Sequence, residues 1–203
     1  MALDFFHRSQ ARTPRRVALL PGAWNPPTSA HVAVARAALG WADEVIFVMP
    51  KAFPHKQYED WPMEQRMALV RDLVSAENGF SAAITESGYY FEIAEEARVT
   101  LAGDTEIGLV CGRDAAERIA AWDYGQPGVF EEMIARYPLL VAARGGQYRS
   151  PLTPGIIALE LAPHFEHVSS TEVRRRAAAG EEWRALVPES IHAEVARMYG
   201  VCA

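Results

Sequence analysis

Thr28 and His31 stand one helical turn apart at the start of an apolar helical pattern, and a hydroxyl and an imidazole so spaced can face one oxyanion. They belong to the segment Gly22-Ala-Trp-Asn-Pro-Pro-Thr-Ser-Ala-His31, which follows the apolar run Val17 to Leu20 directly and opens a helix. The backbone N–H groups and the positive end of the helix dipole then face whatever sits beyond the strand, which makes an anion site. Gly22 permits close approach of a ligand to the backbone, and Pro26 and Pro27 stiffen the turn. Near the other end, Val168-Ser-Ser-Thr-Glu-Val-Arg174 sets Ser169, Ser170 and Thr171 at a second helix start, with Arg174 one turn beyond Thr171. One hydroxyl can cap that helix while the remaining N–H groups and the guanidinium cage a charged oxyanion, with Arg175 and Arg176 adding positive charge. Each segment also has a plainer reading. Thr28 can be an N-cap beside a core or surface histidine, and Ser169 to Arg176 an N-cap followed by a solvated basic turn. The strand before the first segment favours a ligand site, because open α/β sheets bind ligands beyond the carboxyl ends of their strands. Neither segment is a Walker A loop or a GxGxxG fingerprint.

The elements around these residues alternate between short apolar runs and helical patterns, which predicts strand-helix-strand units around a parallel sheet. Val17 to Leu20 is the first buried strand, Thr28 to Leu39 a helix stopped at Gly40, and Val45 to Met49 the second strand. A polar loop rich in proline and aromatics, Lys51 to Trp61, precedes a helix from Pro62 to Val74. Ala82 to Thr85 reads as a strand and Phe91 to Val99 as a helix. Ile107 to Cys111 is a strand running through Gly112 into a helix that reaches Trp122. Pro138 to Ala143 is a further strand, with Ile156 to Leu161 and His167 to Val168 as weaker extended segments. Thr171 to Ala179 and Ser190 to Tyr199 close the chain as helices.

Composition narrows the partners. The 203 residues, half of them hydrophobic, are enough for one domain with a sizeable core. A net charge of −6 argues against a surface that tracks the phosphates of DNA or RNA, so a phosphate site has to be local. Cys111 and Cys202 are too few for a disulfide framework or a thiolate zinc site, which fits a reducing cytoplasm. Met1 to Arg16 resembles neither a signal peptide nor an anchor, and no run reaches the ~18 apolar residues of a membrane span. His164, Glu166 and His167 lack a third and fourth metal ligand at a recognisable spacing. There is no Gly-x-Ser-x-Gly elbow to suggest a hydrolase.

At these residues the chain resembles a family. The first segment is similar to the GxFxP...[HT]xxH motif of adenylyltransferases in the HxGH nucleotidyltransferase superfamily, and the second to their ISSTxIR motif. The resemblance is in particular to the nicotinate (or nicotinamide) mononucleotide adenylyltransferase family. Pro50 with Phe53-Pro-His-Lys56, the helix around Glu64-Gln-Arg66-Met67, Gly112-Arg-Asp114 leading to Trp122, and Leu186-Val-Pro-Glu-Ser190 extend it in order along nearly the whole chain. Trp24 stands where the family usually has Phe, and Ala30 replaces the common Gly before the last His.

The resemblance implies a Rossmann-like, doubly wound parallel sheet with helices on both faces. Residues 1–203 would form one nucleotidyltransferase domain, with 1–14 as an N-terminal arm and 168–203 as a C-terminal helical part completing the triphosphate site. The implied activity joins ATP to nicotinate (or nicotinamide) mononucleotide, giving the dinucleotide and pyrophosphate in NAD biosynthesis, with Mg²⁺ accompanying ATP. The alternatives are another adenylyl- or cytidylyltransferase, such as a phosphopantetheine adenylyltransferase, and a non-catalytic nucleotide-binding module. Carried over to this sequence, His31, Thr28 and Arg174 would be catalytic. Gly22, Ala23, Trp24, Lys56, Gly112, Asp114, Ser169, Ser170 and Thr171 would bind ATP and its phosphates. Trp122 would stack on the pyridine. Gly88-Tyr-Tyr-Phe-Glu-Ile93 lies where many bacterial nicotinate enzymes contact the pyridine carboxylate through a Ser-Tyr-Thr-x-Asp-Thr stretch, so Tyr90 joins the mononucleotide contacts. The expected partners are ATP and a pyridine mononucleotide, without nucleic acid or membrane, and a homo-oligomer is left open.

Overall fold

The computed structural model describes residues 2–9, 13–52, 61–142, 154–161, 165 and 167–200. Seven strands form one sheet: β1 (Asp4–His7), β2 (Arg16–Pro21), β3 (Glu44–Pro50), β4 (Phe80–Thr85), β5 (Glu106–Gly112), β6 (Leu139–Ala142) and β7 (Ile156–Leu159). Their spatial order is β1-β4-β3-β2-β5-β6-β7, with β1 antiparallel to β4 and every other pairing parallel. This is the expected doubly wound sheet. From β2 the chain moves outward to β3 and β4, then returns to β5 on the other side, so the strand order reverses between β2 and β5. Val17 to Leu19 pair with Glu44 to Ile46 on one side and with Ile107 to Leu109 on the other.

The helices are α1 (Ser29–Ala38), α2 (Met63–Ser75), α3 (Tyr90–Thr100), α4 (Arg113–Ala120), α5 (Val129–Arg136), α6 (Ser170–Ala179) and α7 (His192–Tyr199). Side chains that alternate along each strand enter opposite cores. Ala18, Phe47, Ala82, Val110 and Leu140 pack with α1, α2, α6 and α7, while Val17, Ile46, Ala83, Leu109 and Val141 pack with α3, α4 and α5. Strands covered on both faces read as near-continuous apolar runs, which is why they stand out in the sequence.

Four elements differ from expectation, the first being α4, which ends at Ala120 and leaves Trp122 beyond it, its N–H on Ile119 O at 3.4 Å. The N-terminal arm contributes an edge strand, held by Leu3 N–H donating to Thr100 Oγ1 at 2.8 Å and by Arg8 on the fully buried Glu44 at 3.2 Å. Four residues are too few for a period-2 signal, so only pairing with β4 defines it. Helix α5 is an addition to the expected elements: Phe130, Met133, Ile134 and Tyr137 follow helical spacing, with Met133, Ile134 and Tyr137 buried against the sheet. His167–Val168 is a turn followed by an unpaired residue, not an extended segment, because Val168 N–H bonds back to the Phe165 carbonyl at 3.2 Å. Among the described residues no helix is long and apolar enough to cross a membrane. Lys56, His164, Glu166 and Cys202 lie outside the described residues.

Candidate active site

The chain leaves β2 at Pro21 and turns at once. Gly22 N–H donates to Val48 O at 3.0 Å, and the Trp24 indole N–H reaches the same carbonyl at 3.0 Å. Trp24 adopts a φ of 54°, an uncommon conformation for a bulky residue, and its ring is 2% exposed. The ring lies 5.1 Å edge-on from His31 and 5.0 Å from Phe47, centroid to centroid. A Cβ on Gly22 would come within 2.7 Å of that indole, so the close approach that needs glycine here is made by Trp24 itself.

The backbone of the turn is then clamped from three directions. Arg66 Nη1 donates to Ala23 O at 2.9 Å, Arg174 Nη1 to Asn25 O at 2.7 Å, and Ser170 Oγ to Pro26 O at 2.8 Å. The Tyr199 hydroxyl adds a bond to Asn25 Oδ1 at 3.0 Å. Arg174 and Asn25 are 149 residues apart in sequence, so the two motifs of the sequence meet in one structure. Ser169 caps α6 by accepting from Glu172 N–H at 3.1 Å, and Thr171 Oγ1 accepts from Arg174 Nη2 at 3.3 Å. Among the described residues Arg174 therefore uses part of its five-donor fork on Asn25 O and Thr171 Oγ1 and keeps the rest. Behind it, Arg175 and Arg176 grip Glu172 and hold that carboxyl down at about 2.

Thr28 caps α1 and is completely buried. Its backbone N–H donates to His31 Nδ1 at 2.9 Å, and its hydroxyl lies 2.8 Å from the same nitrogen. Because Nδ1 accepts from a backbone N–H, the neutral imidazole carries its hydrogen on Nε2. The structure thus places Thr28 as a cap and a clamp on the imidazole, both readings of it at once, while His31 itself lines the cleft above.

That cleft has a volume of about 430 Å³ and lies beyond the carboxyl ends of β2 and β5, where the strand order reverses. Pro21, Trp24 and His31 form one wall, and Gly112, Arg113 and Asp114 form another at the uncapped start of α4. The start of α4 lies on the cleft with its positive dipole end, and α1 contributes His31 and Val34 to the lining. Ser169, Ser170, Thr171 and Arg174 do not line it; they stand against the turn that forms its wall. Gly112 leaves open space, since a Cβ there would meet only Ala142 O, at 4.0 Å. Cys111, also on the lining, is buried, which pushes its thiol up to about 12 and leaves it protonated and unreactive.

Beside the cleft, a pocket of about 150 Å³ has an aromatic wall formed by Tyr89, Tyr90, Phe91, Trp122 and Tyr124. Tyr90, Ala115 and Arg118 line both cavities, so the two are neighbours. Burial raises the Tyr90 phenol above its ordinary range, so it remains a neutral hydroxyl. Among the described residues no group of three His, Cys, Asp or Glu could hold a metal alone. One exposed carboxylate on the cleft, Asp114, fits a divalent ion whose other ligands are water and substrate phosphates. Sequence reasoning missed Tyr199, Tyr124 and Arg118. Arg118 carried a signal, since it stands four residues before Trp122 in the stretch that follows Asp114.

Residues 19–176 match the model of the cytidylyltransferase-like family. The chain is 31% identical over 191 residues to a probable nicotinate-nucleotide adenylyltransferase of Salinibacter ruber, covering 88% of this chain and 94% of that one. A probable nicotinate-nucleotide adenylyltransferase of Anaeromyxobacter dehalogenans is 32% identical over 186 residues, covering 87% and 91%. In fold, the chain is similar to the Plasmodium falciparum nicotinic acid mononucleotide adenylyltransferase complexed with NaAD, with a TM-score of 0.67, 14% identity, and coverage of 93% and 98%.

Proposed function

From the premise that this chain belongs to the cytidylyltransferase-like family, we propose that it is a nicotinate-nucleotide adenylyltransferase of NAD biosynthesis, joining ATP and nicotinate mononucleotide into the dinucleotide and pyrophosphate. The observation that carries this reading is the adjacency of the two cavities, which share Tyr90, Ala115 and Arg118. A cleft at the strand reversal, roomy enough for a nucleotide and with His31 and the start of α4 on it, adjoins an aromatic pocket that suits one flat ring. An oxygen of the mononucleotide's 5'-phosphate attacks the α-phosphorus of ATP, and the bond to the β-phosphate oxygen breaks as pyrophosphate leaves. No covalent bond to the protein forms. The protein's contribution is alignment and charge stabilisation.

In this scheme His31 donates Nε2–H to the phosphate oxygens on which charge builds, and Thr28 holds the imidazole in that tautomer without touching substrate. The donors that Arg174 retains, with the Ser169 and Thr171 hydroxyls and the Ser170 backbone N–H at the start of α6, receive the leaving phosphates, while the bonds of Arg174 to Asn25 O and of Ser170 Oγ to Pro26 O tie that grip to the turn. Gly22, Ala23 and Trp24 shape the turn, Gly112 and Asp114 face the nucleotide, and Lys56 is assigned to the phosphates by its motif alone. Tyr90 and Trp122 hold the pyridine ring. Mg²⁺ is the divalent ion proposed, held by the triphosphate and Asp114, and when bound it offsets phosphate charge.

Pyrophosphate release discriminates the candidates. Incubated with ATP or CTP and each phosphate ester, the protein is expected to release pyrophosphate with ATP and a pyridine mononucleotide, and to form a dinucleotide. Release only with phosphopantetheine would overturn the acceptor. Thermal stabilisation by ATP without any release would leave a binding module instead. Gly112→Ala tests the cleft floor. The added methyl meets no protein atom closer than 4.0 Å, so the melting temperature should hold while KM for ATP rises several-fold. An unchanged KM would remove Gly112 from the nucleotide contacts.

A further inference from the structure

The acceptor reading leaves open what distinguishes a pyridine acid from the amide. Helix α4 turns Ala115, Arg118 and Ile119 toward the smaller pocket, the i, i+3, i+4 positions of one face, and Trp122, just beyond the helix end, lines the same pocket. The opposite wall comes from Gly88 to Phe91 at the start of α3, with Met133 from α5. Among the described lining residues Arg118 is the one cation, and no carboxylate joins it. Arginines elsewhere in this acidic chain are commonly ion-paired, as Arg16 is with Glu106 and Arg136 with Glu95. Arg118 has no carboxylate partner among the described residues, although it sits on an exposed helix face where one would be easy to supply.

Resting on the adenylyltransferase reading above, we propose that Arg118 determines acceptor specificity by binding the carboxylate on the pyridine ring. The ring of a pyridine mononucleotide is a cation at its glycosylated nitrogen, which suits the face of Trp122. A guanidinium beside that ring is repelled unless an anion lies between the two charges. The ring carboxylate of the acid supplies the anion and accepts charge-assisted, bidentate hydrogen bonds. The amide supplies no anion, so the same arginine both attracts the acid and disfavours the amide, the two halves of a specificity device. Tyr90, a neutral phenol at the junction of the cavities, leaves the carboxylate without a competing anion. A phosphate contact would use the same charge chemistry, and it makes a different prediction, because the acid and the amide share the 5'-phosphate.

The test is steady-state kinetics with ATP and each mononucleotide for the wild type, Arg118→Gln and Arg118→Lys. In Arg118→Gln the ratio of kcat/KM for the acid to that for the amide should fall at least about tenfold, mainly through KM for the acid. Arg118→Lys, which keeps charge and loses the planar fork, should fall between. Equal losses with both substrates would assign Arg118 to the phosphate and overturn the proposal, as would a ratio within about twofold of wild type. ATP-induced thermal stabilisation of each variant reports an intact fold independently of the acceptor. If the wild type makes no dinucleotide from either mononucleotide, the adenylyltransferase reading itself fails. Wild-type turnover with an unmoved ratio removes Arg118 alone.

Discussion

His31→Ala should lower kcat by about a hundred- to a thousandfold, a loss of ~2–4 kcal/mol in transition-state stabilisation, with little change in KM. That magnitude is the one expected when a preorganised donor aimed at developing charge is removed. Preorganisation here is specific. The Thr28 N–H occupies His31 Nδ1, so the opposite nitrogen of the neutral ring is a donor before any substrate arrives, and the edge-on Trp24 ring fixes the plane. Thr28→Val, at a completely buried site, removes the hydroxyl while keeping the backbone N–H bond, so it should cost less in kcat than His31→Ala. Wild-type kcat in His31→Ala would remove the imidazole from the reaction. A larger effect from Thr28→Val than from His31→Ala would make the hydroxyl the contact group.

Trp24→Ala should destabilise the fold by ~3–5 kcal/mol, read as the loss in unfolding free energy in denaturant. The indole is 2% exposed and packs on Phe47 in the core shared with α1 and α2, so its removal leaves a cavity under the turn. Turnover should fall as well, because the ring that abuts His31 is gone. Trp24→Phe is the informative control. It keeps an aromatic ring, and Val48 O still accepts from Gly22 N–H at 3.0 Å when the indole bond is lost. The expected cost is about 1 kcal/mol, the scale of one neutral hydrogen bond. A Trp24→Ala protein as stable as wild type would mean that the turn is held by its backbone clamps alone.

Much of the fold was legible because strands covered on both faces are apolar throughout and the helices between them are periodic. Both signals are local. Val17 to Leu20, Val45 to Met49 and Ile107 to Cys111 lie within a residue or two of β2, β3 and β5. Strand β1 was not legible, since its identity depends on a partner more than seventy residues away. Helix α5 is legible in its spacing, Phe130, Met133, Ile134 and Tyr137, but at eight residues it is a weaker signal than the apolar strand that follows.

The candidate site divides in the same way. The sequence by itself determined the chemistry available: a helix start with Thr28 and His31 behind a strand, a second helix start with hydroxyls and Arg174, and an aromatic residue, Trp122, after Asp114. Those are patterns of neighbours along the chain, and helix geometry converts them directly into shared faces. Only the tertiary structure decided how the groups are used. It brought Arg174 and Ser170 onto the carbonyls of Asn25 and Pro26, and set Arg118 of α4 in one pocket with Tyr90 of α3. Each of those contacts joins elements whose adjacency is fixed by the order of strands in the sheet and by which face each helix covers. That order is set by the burial of the whole core, so no stretch of neighbouring residues encodes it.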